Sequence, residues 1–171
     1  MPLGFLCAAV FILFARPRPV TLVAGAAVSL IGVLLRAWAS GHIRKNDALA
    51  ISGPYAYTRN PLYLGSFILG LGFTIGAGRW WLGILFALLF LGIYLAVMRV
   101  ESATLAQLFG QSFQAYAKEV PLFFPRLTPY RNGPTRMGFD RGLYLRYREY
   151  RAALGLLIAW GLLVFKAFYV K

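Results

Sequence analysis

Residues 61–98, PLYLGSFILGLGFTIGAGRWWLGILFALLFLGIYLAVM, decide the fold. A helix rises about 1.5 Å per residue, so about 20 apolar residues cross the hydrocarbon core of a bilayer. Two such runs, Pro61 to Gly78 and Trp80 to Met98, stand back to back, with Arg79 the one charge in the whole stretch. They predict two spans joined by a tight hairpin, with Trp80 and Trp81 at the membrane interface, where indole rings are favoured.

Working outward, Val20 to Leu35 is a third run, extended to Ala39 if Arg36 snorkels its guanidinium to the headgroups. Pro2 to Ala15 and Ala152 to Phe165 are shorter, in the range where a buried or re-entrant helix also fits, and both are read as spanning. The first is not read as a signal peptide, since no Lys or Arg precedes it and no small-residue cleavage site follows. Arg16-Pro17-Arg18-Pro19 is a stiff turn into the next helix. The expected fold is therefore an all-α integral membrane protein. It has a single polytopic domain over 1–171, with five transmembrane helices at about 2–15, 20–39, 61–78, 80–98 and 152–170.

Composition agrees. Of 171 residues 60% are hydrophobic and 13% charged, against about a quarter charged in soluble domains. The net charge of +13 does not point to nucleic acid, because the basic residues punctuate apolar runs instead of forming a polar basic face. One cysteine, Cys7, and one histidine, His42, exclude disulfide frameworks, Cys/His zinc sites and haem motifs. No metal is expected, since ligands would have to come from Asp47, Glu101, Glu119, Asp140 and Glu149 alone. Thirteen of the 18 basic residues lie in 36–59 and 99–151. The excess of Lys and Arg in cytoplasmic loops puts both segments, and the N terminus, on the cytoplasmic side.

Small residues recur four apart at Gly25 and Ser29 and at Gly72 and Gly76, spacing that brings helices close in lipid. Gly70-Leu71-Gly72 is read as packing and not as a dinucleotide fingerprint, for no strand precedes it.

Two polar segments can carry chemistry. In Ser52-Gly-Pro-Tyr-Ala-Tyr-Thr-Arg-Asn-Pro-Leu-Tyr-Leu-Gly65, Gly53-Pro54 signals a turn. Asn60-Pro61 signals a helix start, with asparagine as N-cap and proline preorganised for the first helical position. The helix N-terminus beside Arg59 is suited to an anion, although Arg59, Tyr55, Tyr57 and Tyr63 also fit as interfacial anchors. In the second segment, Leu105, Leu108, Phe109, Phe113 and Tyr116 recur at helical spacing from Val100 onward. They predict an amphipathic helix that lies on the membrane or covers the bundle. Glu101 sits at its start, an ionisable group at membrane depth. The helix should end before Val120-Pro121. Val120-Pro-Leu-Phe-Phe-Pro125 is then an apolar, non-helical strip that must cover protein or clasp a flat ligand, because bare backbone cannot face lipid. The Arg- and Tyr-rich 141–151 reads either as a belt for anionic lipid or, through Arg146, Arg148 and Glu149, as a contact to an anionic group on a membrane-embedded substrate.

Gly53-Pro-Tyr-Ala-Tyr-Thr-Arg-Asn-Pro-Leu-Tyr-Leu-Gly65, Glu101-Ser-Ala-Thr-Leu105, Leu108-Phe-Gly-Gln-Ser-Phe-Gln-Ala-Tyr116 and Val120-Pro-Leu-Phe-Phe-Pro125, in that order and spacing, resemble the isoprenylcysteine carboxyl methyltransferase family. They resemble the phospholipid N-methyltransferases more distantly. The resemblance covers about the central half of the chain. It implies a helical membrane enzyme using S-adenosylmethionine, held between the start of the third span and the segment after the fourth. By position, Tyr55, Tyr57, Arg59, Asn60, Pro61, Tyr63 and Glu101 would bind the cofactor, and Tyr116, Val120 and Pro121 would flank its adenine. Three departures stand out: Asn60 where many relatives have histidine, Ser102 for the second acid of a pair, and Phe113 for a usual tyrosine. An ionised carboxylate acceptor needs no base, whereas an amine must lose a proton. The losses therefore favour a carboxylate on a prenylated or lipid-like acceptor, with Arg146 or Arg148 orienting it. The alternatives are phospholipid amine methylation, with Glu149 as base, and a non-enzymatic scaffold for anionic lipid.

Overall fold

The structure is a computed structural model and describes residues 10, 11, 13–44, 48–131 and 138–169. Among these the regular structure is entirely helical: α1 (Pro19–Ser40), a 3-10 turn (Gly53–Ala56), α2 (Pro61–Gly76), α3 (Trp80–Glu119), α4 (Arg141–Arg146) and α5 (Tyr150–Tyr169). Helices α1, α3 and α5 are long and apolar enough to cross a membrane. Their outward residues are apolar, as at Val20, Val23, Leu88, Leu157, Ile158 and Phe168. Such surface is tolerated in lipid and not in water. The chain is an integral membrane protein.

Two boundaries differ from expectation. Helix α2 has 16 residues, about 24 Å of rise, so it is shorter than a span that crosses unaided; Ala77-Gly78-Arg79 make the turn instead. The fourth run does not break near residue 99. Helix α3 continues through Phe109 and kinks at Gly110, whose φ of 50° and ψ of −124° lie in a region open essentially to glycine alone. The stretch predicted as a separate amphipathic helix is therefore, up to the kink, a continuation of the same helix. It ends at Glu119, before Val120-Pro121, as the proline rule requires. The expected first span, 2–15, lies mostly outside the described residues.

Helices α1 and α2 meet through glycine. A Cβ at Gly25 would fall on the backbone of Gly72 and Gly76, and one at Gly32 on Gly65 and Leu69. The close approach lets Ser29 Oγ donate to the Leu69 carbonyl at 3.1 Å. At the hairpin end, Arg16 N–H donates to the Ala77 carbonyl at 2.8 Å. Phe11, Ala15, Leu22, Ala77, Leu82 and Leu163 form one buried cluster there. Helix α5 is anchored through Leu163 and through Trp160, whose ring lies over Gly76.

Gly72→Ala is expected to force the α1–α2 backbones apart and cost roughly 1–3 kcal/mol. Gly92→Ala, with open space at its Cβ, should be neutral or slightly stabilising. Thermal unfolding in detergent, followed by circular dichroism, checks the contrast.

Candidate functional site

The segments that the sequence set apart are laced together. Backbone bonds run from Arg59 N–H to the Pro121 carbonyl (3.0 Å), from Arg126 N–H to Tyr57 (2.9 Å) and from Tyr130 N–H to Ala56 (2.9 Å). Thr58 Oγ1 donates to the Phe123 carbonyl at 2.9 Å and Asn60 Nδ2 to the Leu122 carbonyl at 2.9 Å. From the end of α3, Tyr116 Oη donates to the Tyr55 carbonyl at 2.7 Å. Of the two uses open to Val120–Pro125, the structure shows the first: the strip covers protein.

Lacing explains two departures from expectation. The Asn60 side chain does not cap α2; it is turned toward the facing strip, where its Nδ2 donates to the Leu122 carbonyl. Val120, Pro121 and Tyr57 are not among the residues that line the cavity described next. Val120 is buried with Ala56, Phe113, Tyr116 and Tyr130, and Tyr57 packs on the same cluster.

The wall encloses a cavity of about 400 Å³, within the range of about 300–1,000 Å³ usual for cofactor sites. Tyr55, Arg59, Asn60, Pro61, Tyr63, Glu101 and Tyr116 line it together. Asn60 and Glu101 thus share one hollow. Leu105, Leu108, Phe109 and Phe113 also line it, so the apolar stripe on α3 faces the cavity and not only the bilayer. The same wall includes residues 43, 44 and 48–50 and Arg36. No motif marked 43, 44 and 48–50, because an irregular loop has no periodicity to read, and Arg36 in α1 is read only as a snorkelling residue.

The polar groups in this hollow are unevenly satisfied. Tyr63 Oη donates to Glu101 Oε1 at 3.1 Å, and Glu101 forms no ion pair among the described residues. Arg59 likewise has no acidic partner among them. It stands over the Phe113 ring, 6.0 Å from the centroid, and burial holds its pKa below the ordinary arginine value. Of the three buried side-chain polar atoms without a hydrogen bond among the described residues, two belong here: Arg59 Nε and Tyr55 Oη. Burial, with smaller contributions from Tyr116 and Glu101, pushes the Tyr55 hydroxyl well above its ordinary pKa, so it stays a neutral donor.

Arg36 does not snorkel. Its Nε and Nη2 grip Glu149 at 2.7–3.1 Å, and Nη1 donates to the Leu62 carbonyl at 3.2 Å and to Ser66 Oγ. This node ties α1, the first turn of α2 and the start of α5. Glu149, read from the sequence as a contact to substrate, has its carboxylate gripped by this guanidinium fork and does not line the cavity. Arg146 and Arg148 are exposed and are not brought to the cavity. Among the described residues no cluster of three or more His, Cys, Asp and Glu side chains can hold a metal ion.

The phospholipid methyltransferase family model matches residues 20–112, which include α1, α2, most of α3 and the cavity floor. The chain belongs to that family. Similar proteins include the cobalt-zinc-cadmium resistance protein CzcN of Cupriavidus metallidurans, 40% identical over 116 residues, covering 63% of this chain and 52% of that protein. The nickel-cobalt-cadmium resistance protein NccN of Alcaligenes xylosoxydans xylosoxydans is 35% identical over 126 residues, 68% of this chain and 59% of its own length. Protein-S-isoprenylcysteine O-methyltransferase of Schizosaccharomyces pombe is 36% identical over 81 residues, 47% of this chain and 34% of its own. The chain thus spans about a third to three fifths of these relatives' lengths. No solved structure matches it significantly.

Removing one member of a partly buried, fully bonded ion pair leaves an uncompensated charge and costs about 3–5 kcal/mol. Arg36→Gln and Glu149→Gln should each cost up to about that much stability, with the double variant less destabilised than the sum. A double-mutant cycle on thermal unfolding checks it.

Proposed function

We propose that the chain is a membrane methyltransferase that holds S-adenosylmethionine in the cavity and methylates a carboxylate on a prenylated or lipid-like acceptor. One observation carries this reading. Arg59 and Glu101, opposite charges without ion-pair partners among the described residues, line the same 400 Å³ hollow. A ligand with a carboxylate and an ammonium at one end satisfies both, as the amino-acid end of this cofactor does.

Arg59, beside the first turn of α2, would hold the carboxylate through its donor fork and the helix dipole. Glu101 would take the ammonium. Phe109, Phe113 and Tyr116 offer an apolar slot for the base. Tyr55 Oη and Arg59 Nε are donors already stripped of water and lacking an acceptor, so a polar ligand gains from them without a further desolvation cost. When bound, the cofactor supplies an electrophilic methyl group. The chain's part is to align the acceptor oxygen and exclude water from it, which leaves an ionised carboxylate poorly solvated and reactive.

Amine methylation is the second reading, favoured by the description of the matching family. It requires a base, and the occupancy of Glu149 by Arg36 weighs against it. In this proposal five spans place both polar segments, and with them the cavity, on the cytoplasmic side. The metal-resistance names of two relatives contribute nothing to it.

Isothermal calorimetry in detergent should show micromolar binding of S-adenosylmethionine, weakened about tenfold or more by Arg59→Ala and by Glu101→Ala, as charge-assisted bonds require. Absence of binding to the parent chain overturns the proposal. Lipid mass spectrometry of cells with and without the chain separates the two acceptors, since only amine methylation shifts headgroup masses.

Tyr55→Phe gives a sharper signature. Deleting an unpaired buried hydroxyl should leave the unfolding temperature unchanged or raise it, while cofactor affinity falls. A lowered unfolding temperature would mean that the hydroxyl serves the fold.

A further inference from the structure

Residues 139–151 turn the corner between the cavity and the last span. Asp140 accepts from Gly142 N–H at 2.7 Å and Leu143 N–H at 3.3 Å, capping α4. Arg148 takes a left-handed φ of 54°, which swings the chain into α5. The corner carries four arginines, at 141, 146, 148 and 151, and two acids, Asp140 and Glu149.

The two signs are sorted in space. Both acids are engaged by the protein: Asp140 by the α4 amides and, at 3.9 Å, by Arg44, and Glu149 by the Arg36 fork. All four arginines are exposed, and none forms an ion pair among the described residues. Leu145 and Tyr150 are exposed beside them, at 61% and 40%. Directly beyond, α5 presents Leu154, Leu157 and Ile158 outward, the face that lipid must cover. A cationic patch with apolar residues set into it therefore stands where a spanning helix enters the hydrocarbon.

We propose that this corner is a docking site for anionic phospholipid headgroups of the host bilayer. Phosphodiester oxygens match the paired donors of arginine, and basic residues beside a span draw anionic lipid. Leu145 and Tyr150 seat at the boundary between headgroups and acyl chains. The site is distinct from the cavity, which none of the four arginines lines, and does not depend on the methyl-transfer reading.

The test uses the full chain in nanodiscs of phosphatidylcholine with a minor share of phosphatidylglycerol, with spin-labelled lipids reporting which species contacts the protein. Phosphatidylglycerol should be enriched roughly threefold or more around the parent chain. High salt should reduce the enrichment, and the variant with Arg141→Gln, Arg146→Gln, Arg148→Asn and Arg151→Gln should lose it. Asparagine is chosen at 148 because it tolerates positive φ. If circular dichroism shows that this variant does not fold, the pairs 141/146 and 148/151 are changed separately, and each should lower the enrichment. No enrichment around the parent chain, or enrichment that survives the substitutions, overturns the proposal.

Discussion

Backbone that is neither helix nor strand has to find hydrogen-bond partners inside the protein when it lies against a membrane. That constraint organises the site. The segment 55–60, which leaves the 3-10 turn after Ala56, and the irregular strip 120–130 each supply what the other needs. Amides of Arg59, Arg126 and Tyr130 pair with carbonyls of Pro121, Tyr57 and Ala56, and Thr58, Asn60 and Tyr116 donate to carbonyls that remain. Pairing two irregular segments by side chain and backbone leaves their inner faces a fixed distance from α3. The hollow is the space that results.

The other walls are set by two different forces. Glycine at the α1–α2 contact removes side-chain bulk, so dispersion and the Ser29 bond can act between nearly touching backbones. That contact fixes where α2 begins. The Arg36 fork then pins the beginning of α2 to the corner before α5, and α5 has few other anchors. An ion pair of this kind brings little net stability against apolar groups of the same shape. Its value here is positional, because its donors tie α1 to the start of α2 and to the corner before α5 at once.

Much of this was legible in the sequence where a period or a stereochemical rule applies. The long apolar runs, proline at the start of α2, the small-residue spacing and the end of α3 before Val120-Pro121 all follow from local geometry. So did the meeting of the two polar segments, through their resemblance to a known family. What escaped is what depends on partners distant in the chain. Asn60 has the residue type of a cap, yet its amide goes to Leu122. Arg36 has the look of a snorkelling arginine, yet Glu149 lies within reach, more than a hundred residues on. The kink at Gly110 instead of near Arg99 follows from helix propensity: Arg99 through Phe109 contains nothing that stops a helix, whereas glycine can take the conformation that breaks one.

The unpaired atoms give the last step. Six carbonyls of these two segments, those of Tyr55, Ala56, Tyr57, Pro121, Leu122 and Phe123, accept hydrogen bonds across the contact, whereas a tyrosine hydroxyl and an arginine Nε beside them do not find an acceptor. Leaving a buried donor without an acceptor costs about 1–3 kcal/mol, so two such groups lining one cavity are a standing loss of a few kcal/mol against a total stability of about 5–15 kcal/mol. Buried Trp160 Nε1 shares the lack of a partner but lies against Gly76, away from the hollow. In the proposed function, a polar ligand in the cavity would offset the loss at Tyr55 and Arg59. That is the expected state of a site whose polar contacts are completed by a small ligand, and it weighs against a chain that serves the membrane only as a scaffold, for which the same positions would be better filled by phenylalanine and leucine.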